Sequence, residues 1–380
     1  MINNPITELK PHTYFIIAGE QSADNHGALL MQAMLAQNPE IDFKGIGGKK
    51  MTNAGLNSIE EIDKMAVMGF IEVIRHLAFF RKLTNRVLAK IEICKPKQII
   101  LIDYPGFNLR LAKKIKEKFD IPITYYISPQ LWAWKENRVK IIRKCIDQML
   151  VIFPFEENWY SEREVEAKFV GHPIFDDWAP SPKKELCEFL NLNPERTIVT
   201  LYPGSRLQEV KKHLPILVQT AAKLRNEDST RQFILGASPQ INWSQWNLPD
   251  WIQVESEFPQ KALECGNIAL VASGTSTLEA AVFGTPMIII YKMASISWWI
   301  SRVLVSVPFA GMVNIIAGRE IMPELLQENA TAEKVFSTAS SILNNPEKMG
   351  EMNADLKKVQ LKLKGGGASN KVATNILELN

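Results

Sequence analysis

The sequence lacks clustered cysteines and an excess of charge of either sign. Its four cysteines, at positions 94, 145, 187 and 265 of 380, form no CxxC motif and no Cys/His cluster. This spacing excludes a disulfide framework, argues against a zinc site and favours a reducing compartment. The 44 Lys and Arg residues against 41 Asp and Glu leave a net charge of +3. The chain therefore lacks the global basic character of proteins that bind nucleic acid.

Long apolar runs are also missing. The most apolar region, residues 296–316, is interrupted by Arg302, Pro308 and Asn314. It contains no uninterrupted run near the roughly 20 residues that a membrane-spanning helix requires. The first twelve residues are polar and lack the apolar core of a signal peptide. We therefore expect a cytoplasmic protein.

One segment has the composition of a membrane-surface helix. Residues 66–90 combine apolar side chains, among them Met68, Phe79 and Phe80, with several Arg and Lys residues. A basic amphipathic segment of this kind can lie in the membrane interface. The alternative is a helix that packs its apolar face on the core and exposes a basic face to solvent.

What the chain does contain is a regular alternation of short apolar runs and helix-like stretches. This pattern predicts an α/β fold of two doubly wound parallel sheets. The Pro-rich stretch 171–182 suits a linker, so we expect domains at 1–175 and 176–355 and a helical tail at 356–380. The predicted strands are 14–18, 42–46, 99–102, 123–127, 149–153, 168–170, 197–201, 232–235, 252–254, 268–272 and 287–290.

Polar residues follow several predicted strands, where ligands bind in open α/β sheets. In the first domain, Glu20, Ser22 and Asp24 follow the first strand, and Asp103 follows the third. A partly desolvated Asp103 could act as general base toward a sugar hydroxyl. Capping of the next helix is the alternative for these carboxylates.

The fourth strand of this domain leads into a Ser-Pro turn with two tryptophans. Ser128, Trp132 and Trp134 stand there, followed by a basic helix-like stretch. They could hold an apolar substrate that carries an anionic group. The rings could equally fill the core.

Two turns in the second domain suit a diphosphate. Ser205 and Arg206 follow one predicted strand, and the Ser273-Gly274-Thr275 turn follows another and opens a helix. A helix start offers free N–H groups and the positive end of its dipole to phosphate. Glu279, about one turn further, could accept hydrogen bonds from ribose. The alternative for the Ser273-Gly274-Thr275 turn is an ordinary capped turn before a helix. The alternative for Arg206 is an arginine exposed on the surface without a ligand.

Taken in order, seven blocks of the chain resemble the lipid-A-disaccharide synthases, bacterial glycosyltransferases of the GT-B fold. Ala23 and Gly106 depart from the family pattern and affect local loop geometry only. The blocks are Ala18 to Glu20 with Ser22 and Asp24; residues 66–69; Asp103, Pro105, Phe107 and Asn108; Ser128, Pro129 and residues 132–134; Pro203 to Arg206 with Glu209 and Val210; Ala272 to Thr275 with Leu278 and Glu279; and Asn314 with residues 317–320.

The resemblance implies two Rossmann-like domains facing a cleft. It implies transfer of 2,3-diacylglucosamine from its UDP donor to 2,3-diacylglucosamine 1-phosphate (lipid X), giving a β-1,6-linked disaccharide phosphate and UDP. Asp103 and Glu20 are the expected catalytic residues. The UDP-sugar side is expected to comprise Ser205, Arg206, Glu209, Ser273, Gly274, Thr275, Glu279, Asn314, Arg319 and Glu320.

The acceptor and lipid side is expected to include Ser22, Asp24, Met68, Phe79, Phe80, Ser128, Trp132 and Trp134. Because the substrates carry several acyl chains, the resemblance favours docking of residues 66–90 on the inner membrane. The sequence contains no DxD-like carboxylate pair, so we expect no metal and no cofactor.

Family members are described as dimers with exchanged C-terminal regions, and the Gly365 to Gly367 break suits such a homodimer. Two alternatives stay open. One is another GT-B enzyme, such as a UDP-N-acetylglucosamine 2-epimerase or a different lipid-linked sugar transferase. The other is a non-catalytic lipid or nucleotide binding protein on the same fold.

Overall fold

The chain folds into two compact units. The computed structural model describes residues 12–60, 62, 70–293, 307–364 and 366–379, with the backbone alone at 70–77 and 177. The first unit consists of two segments of the chain, one that ends at Asp177 and one that starts at Gly365. The second unit is Trp178–Lys364. The division after Asp177 lies two residues beyond the expected boundary.

The described strands of the first unit form a seven-stranded sheet in the order β3-β2-β1-β4-β5-β6-β7, with parallel pairing throughout. The chain order reverses between β1 and β4, where Ala18 pairs with Ile102. Both strands are fully buried, as expected for a parallel sheet covered on both faces. The strands are β1 Thr13–Ala18, β2 Asp42–Ile46, β3 Leu56–Ser58, β4 Gln98–Ile102, β5 Ile123–Tyr126, β6 Gln148–Val151 and β7 Ala167–Phe169.

The second unit repeats this plan. Its described strands form a six-stranded parallel sheet in the order β10-β9-β8-β11-β12-β13. Here the order reverses between β8 and β11, where Tyr202 pairs with Val271. The strands are β8 Ile198–Tyr202, β9 Gln232–Gly236, β10 Ile252–Glu255, β11 Ile268–Ala272, β12 Met287–Tyr291 and β13 Glu324–Leu326.

Helices connect the strands in both units. In the described part of the chain, no helix is both long and apolar enough to span a bilayer. Those of the first unit are α1 Gln21–Gln37, α2 Lys49–Asn53, α3 Phe70–Cys94, α4 Pro105–Lys116, α5 Val139–Cys145, α6 Phe155–Ser161 and α7 Ile174–Asp177. Those of the second are α8 Lys183–Phe189, α9 Leu207–Glu227, α10 Pro259–Cys265, α11 Thr275–Phe283, α12 Met312–Ala317, α13 Ala332–Leu343 and α14 Pro346–Leu363.

The predicted α/β class is confirmed, and each predicted strand overlaps an observed one. Two observed strands, β3 and β13, have no counterpart in the prediction. Each has three residues and lies at the edge of its sheet, so neither shows the apolar run that marked the others.

The C-terminal tail starts later than expected. Residues 346–363 form the continuous helix α14 of the second unit, and only the last helix, α15 (Ala368–Glu378), belongs to the first. The Asp176 carboxylate accepts the backbone N–H groups of Ala368 and Ser369 at 2.8 and 2.7 Å. This carboxylate stabilises the start of α15, which has no cap of its own.

The buried Asp24 carboxylate performs the same task for α2. Its two oxygens accept the N–H groups of Gly48, Lys50 and Met51 at 2.7, 3.1 and 3.1 Å. The side chain is 4% exposed, so its contacts favour the capping alternative over a substrate contact. Asp24 lies on α1, which follows β1, but the helix that it caps is α2, which follows β2.

We predict that Asp24→Ala lowers the free energy of unfolding by about 2–3 kcal/mol, because buried N–H groups lose their acceptor. A urea melt of the purified protein measures this change. Asn25→Ala is the control, since the contact of Asn25 with Lys50 is exposed. Equal midpoints for the two variants would contradict the capping role.

Candidate active site

The turn after β4 has an unusual backbone that is held by several hydrogen bonds. Asp103 and Tyr104 both have positive φ, at 45° and 48°. The Tyr125 hydroxyl donates to the Asp103 carbonyl at 2.6 Å, and Asn108 Nδ2 donates to the same oxygen at 2.7 Å. Consecutive non-glycine residues in this conformation are uncommon and strained, and such residues cluster at functional sites.

The Asp103 side chain lies beside Glu20, which follows β1. Burial of the Asp103 carboxyl raises its pKa to about 7, and the charge and hydrogen bonding of the Glu20 carboxylate act in the same direction. The sheet order explains the pairing, because β1 and β4 are neighbours at the point where the order reverses. A carboxylate whose pKa lies near neutrality, as that of Asp103 does, is suited to accept a proton.

Gly19, just before Glu20, is required by the same arrangement. A Cβ at Gly19 would lie 2.3 Å from the Tyr104 ring. The ring of Tyr104 therefore occupies the space beside the turn after β1. This close approach brings the turns after β1 and β4 together.

The sequence did not reveal a third carboxylate, Glu156, on α6. It is 1% exposed and accepts hydrogen bonds from Ser128 Oγ, from Trp132 Nε1 at 3.0 Å and from the Phe153 N–H at 3.1 Å. Burial raises its pKa to about 7 although these donors lower it. The polar atoms of Ser128 and Trp132 thus hold the turn after β5 onto α6, and these contacts favour a structural role for both.

The other residues expected on the acceptor side differ in exposure. Ser22 is exposed in the first turn of α1, and Trp134 is 43% exposed with Lys135 Nζ 4.1 Å from its ring centroid. Phe79 and Phe80 are half-buried against the core of the first unit, so their contacts favour the core-facing alternative. Met68 lies outside the described residues.

In the second unit, the turn after β8 is compact and ends at Arg206. Gly204 has φ 105°, and a Cβ there would lie 2.7 Å from Glu209 Oε2. Arg206 Nη1 lies 3.0 Å from Glu209 Oε1, while the Arg206 side chain is 71% exposed. Ser205 is exposed beside it. The guanidinium is oriented by Glu209 and remains accessible to an anion.

A buried histidine that the sequence analysis missed holds this turn in place. His213 Nδ1 lies 3.1 Å from the Pro203 carbonyl oxygen, and Nε2 accepts the Lys292 N–H at 3.0 Å. Burial lowers the pKa of His213, which fits the neutral tautomer that these contacts require. His213 therefore connects the turn after β8 with the end of β12.

The turn after β11 leaves the start of α11 open. Gly274 has φ 148°, and a Cβ there would meet no atom within 4 Å. The N-cap residue of α11 is Gly274, which has no side chain to cap the helix, and Gly274 and Thr275 are exposed. Ser273 Oγ donates to the Ala310 carbonyl at 2.7 Å and is therefore used within the fold. The free amides of Thr275 and its neighbours are the groups available to an anion.

Glu279 lies one turn into α11 and is desolvated. Burial raises the pKa of its carboxyl. Within the described residues, no hydrogen bond or ion pair to the Glu279 side chain is formed. A desolvated carboxylate without a donor is costly unless a ligand supplies one.

Asn314, Arg319 and Glu320 contact other parts of the second unit. Asn314 is fully buried, and its Oδ1 accepts the N–H groups of Ile321 and Met322, both at 2.9 Å. Its contacts therefore favour a structural role. Arg319 is exposed and pairs with Asp355 at 2.6 Å, and Glu320 is exposed. Within the described ranges, the polar contacts of Arg319 and Glu320 are with Asp355 and Glu324 and not with the turns after β8 and β11.

Metal ligands are not clustered in the part of the chain that the structure describes. No group of three or more His, Cys, Asp or Glu side chains there is placed to hold an ion.

Two parallel sheets with polar turns at their reversal points define a GT-B type α/β protein. Solved structures share this fold at low identity. The UDP-GlcNAc 2-epimerase from Neisseria meningitidis bound to UDP-GlcNAc has a TM-score of 0.63 and 11% identity over 96% of this chain and 99% of that one. The calicheamicin glycosyltransferase has a TM-score of 0.61 and 12% identity over 96% and 97%.

Sequence comparison identifies the family. The lipid-A-disaccharide synthetase family model matches residues 14–377. The lipid-A-disaccharide synthase of Syntrophus aciditrophicus is 38% identical over 96% of this chain and 97% of its own length. That of Geobacter sulfurreducens is 35% identical over 98% and 99%. The chain belongs to the lipid-A-disaccharide synthase family, as its motifs indicated, and the family favours the transferase over the epimerase and the non-catalytic alternatives.

Proposed function

We propose that the protein transfers 2,3-diacylglucosamine from UDP-2,3-diacylglucosamine to 2,3-diacylglucosamine 1-phosphate. The observation that carries the proposal is the Glu20–Asp103 pair at the reversal point of the first sheet. A carboxylate with a pKa near neutrality can take the proton of a sugar hydroxyl as that hydroxyl attacks. The family name and the open anion-suited turns of the second unit support the same reaction.

In the proposed step, the 6-hydroxyl oxygen of the acceptor attacks the anomeric carbon of the donor on the face opposite UDP. The bond from that carbon to the UDP oxygen breaks, and the hydroxyl proton passes to Asp103. The product is the β-1,6-linked disaccharide 1-phosphate, with inversion at the anomeric carbon. Burial, together with the neighbouring Glu20 carboxylate, keeps the Asp103 pKa high enough for the transfer.

The second unit is proposed to bind the donor. Arg206 and the first amides of α11 meet the negative charge that develops on the departing UDP. Glu279 accepts hydrogen bonds from the ribose hydroxyls, which supply the donors its carboxylate lacks. Because these groups neutralise the diphosphate, we propose that the reaction needs neither metal nor cofactor.

The substrates also determine where the enzyme works. Both carry acyl chains that stay in a bilayer, so we propose peripheral association with the cytoplasmic face of the inner membrane. A homodimer is proposed from the family resemblance. Sedimentation with vesicles tests the first proposal and light scattering tests the second.

The reaction is tested by measuring UDP release from UDP-2,3-diacylglucosamine with and without the acceptor, in detergent containing EDTA. We expect UDP release only with acceptor, together with a disaccharide phosphate in the mass spectrum. UDP release without acceptor would indicate hydrolysis or epimerase-like chemistry. UDP binding without release would indicate a non-catalytic protein.

We predict that Arg206→Ala weakens UDP binding about tenfold, because one charge-assisted contact to the diphosphate is lost. Isothermal titration with UDP measures the change. Lys211→Ala on the same helix α9 is the matched control, since Lys211 is equally basic and exposed. Equal UDP affinity in the two variants would remove Arg206 from the diphosphate site.

A further inference from the structure

Among the described residues, three basic side chains near the turns after β4 and β5 lack acidic partners. Arg110 lies on α4, while Lys135 and Arg138 lie on the chain between β5 and α5. In the described ranges, none of the three donates a hydrogen bond to a carboxylate or forms an ion pair. Glu136, which lies between Lys135 and Arg138 in the sequence, pairs with Arg163 at 2.8 Å. The positive charge of this cationic cluster is therefore not neutralised by the fold.

The backbone fixes two members of the cluster. Lys135 has φ 55°, and its carbonyl accepts the Arg138 N–H at 3.0 Å, so both residues belong to one tight turn. Lys135 Nζ lies 4.1 Å from the Trp134 ring centroid, a cation–π contact that orients its stem. The turn thus holds the backbones of Lys135 and Arg138 close together.

Helix α4, which carries Arg110, packs against α5, which begins directly after Arg138, so the three charges lie in one region of the first unit. Burial lowers the pKa of the Lys135 ammonium, and the charges of Arg138 and Arg110 lower it further. A group of like charges without a counterion is unfavourable, and a bound anion relieves the repulsion. Arginine forks and a lysine point charge together suit a phosphate group with several acceptor oxygens.

The cationic cluster also lies on the elements that flank Asp103, because α4 begins two residues after Asp103 and β5 pairs with β4. The Arg110 charge acts on the hydroxyl of Tyr104, the residue after Asp103. The Arg138 charge acts on Tyr125, whose hydroxyl donates to the Asp103 carbonyl at 2.6 Å. In a sugar 1-phosphate, the phosphate and the 6-hydroxyl stand at opposite ends of the ring. A phosphate site beside the base, and not in contact with it, therefore matches this acceptor.

We propose that Arg110, Lys135 and Arg138 bind the phosphomonoester of the acceptor lipid and so select a phosphorylated acceptor. This proposal rests on the proposed function, because it takes the acceptor to be a sugar lipid with a 1-phosphate. The cluster contacts the phosphate and leaves the donor site of the second unit unchanged.

The test compares Arg110→Ala, Arg138→Ala and Arg138→Lys with wild type. Equilibrium binding of 2,3-diacylglucosamine 1-phosphate in neutral detergent micelles is measured beside the same lipid without phosphate. Each alanine variant should bind the phosphorylated lipid about tenfold more weakly, with Arg138→Lys recovering part of the loss. Binding of the unphosphorylated lipid should not change. In turnover, KM for the acceptor should rise while KM for the donor stays constant.

The control is Lys113→Ala, one turn beyond Arg110 on the exposed face of α4. Equal loss in this variant would mean that general positive charge attracts the micelle, and would overturn the proposal. Unchanged binding of the phosphorylated lipid, with lower affinity only for vesicles of phosphatidylglycerol, would assign the cluster to membrane headgroups and also overturn it. The binding assay needs no turnover, so it tests the phosphate site separately from the proposed reaction. If the proposed reaction is wrong, the wild-type protein releases no UDP with either lipid, whatever the binding assay shows.

Discussion

Replacing Asp103 by Asn is expected to lower kcat about 10³-fold, within the range that general acid–base catalysis supplies. The amide keeps the shape of the side chain but cannot take the hydroxyl proton. UDP affinity should stay unchanged, because Asp103 belongs to the first unit and the proposed UDP site to the second. Acceptor-dependent UDP release and titration with UDP measure the two quantities.

Glu162→Gln is the control for this substitution, since Glu162 is an exposed carboxylate of the same unit. It should keep wild-type turnover. A near-normal rate in Asp103→Asn would remove Asp103 as the base. A parallel loss of UDP binding would point instead to a general disturbance of the fold.

The same substitution should stabilise the folded protein at alkaline pH. The pKa of Asp103 rises from 3.8 to about 7 on folding, so the folded state favours the protonated form. The resulting contribution to stability is fully present at pH values below the pKa of Asp103 in the unfolded chain. It is lost as the pH rises toward 7. At pH 8, Asp103→Asn should therefore raise the free energy of unfolding by about 1–3 kcal/mol relative to wild type, with little difference at pH 4. Urea melts at the two pH values measure this.

The second large effect concerns Glu279. Glu279→Ala is expected to weaken UDP binding about 100-fold, because a desolvated carboxylate that accepts two ribose hydroxyls supplies charge-assisted hydrogen bonds. Glu279→Gln should show a smaller loss, since the amide oxygen still accepts. Titration with UDP measures both. The fold should not suffer, because both variants remove the charge of a half-buried carboxylate that has no partner among the described residues.

Glu333→Ala on α13 controls for loss of a carboxylate in the second unit, since Glu333 forms an exposed pair with Lys223. It should bind UDP as wild type does. If Glu279→Ala also binds UDP normally, Glu279 is not a ribose ligand, and its raised pKa reflects burial alone.

The sequence predicted the strands because parallel strands covered on both faces are apolar runs, and β1, β4 and β11 all have this pattern. It did not predict β3 and β13, which are short edge strands recognisable only from their pairing with β2 and β12.

The sequence could indicate which residues follow a strand, but it could not indicate the direction in which their side chains point. Sequence position placed Glu20 and Asp103 directly after two predicted strands, and the sheet order shows that these strands are neighbours. Sequence position could not show that Asp24 and Asn314 turn inward to backbone amides. Glu156 carries no local motif, because its partner Ser128 is 28 residues away. Such roles depend on contacts that exist only in the folded chain.

The most direct test of the Asp103 base is the pH dependence of acceptor-dependent UDP release. With a base of pKa about 7, kcat/KM for the acceptor should be level above pH 8 and fall about tenfold per pH unit below 6, as protonation removes the base. Urea melts across this range confirm that the protein stays folded. A profile that stays level from pH 5.5 to 8.5 would contradict the assignment of Asp103 and Glu20 as the carboxylate pair that accepts the proton.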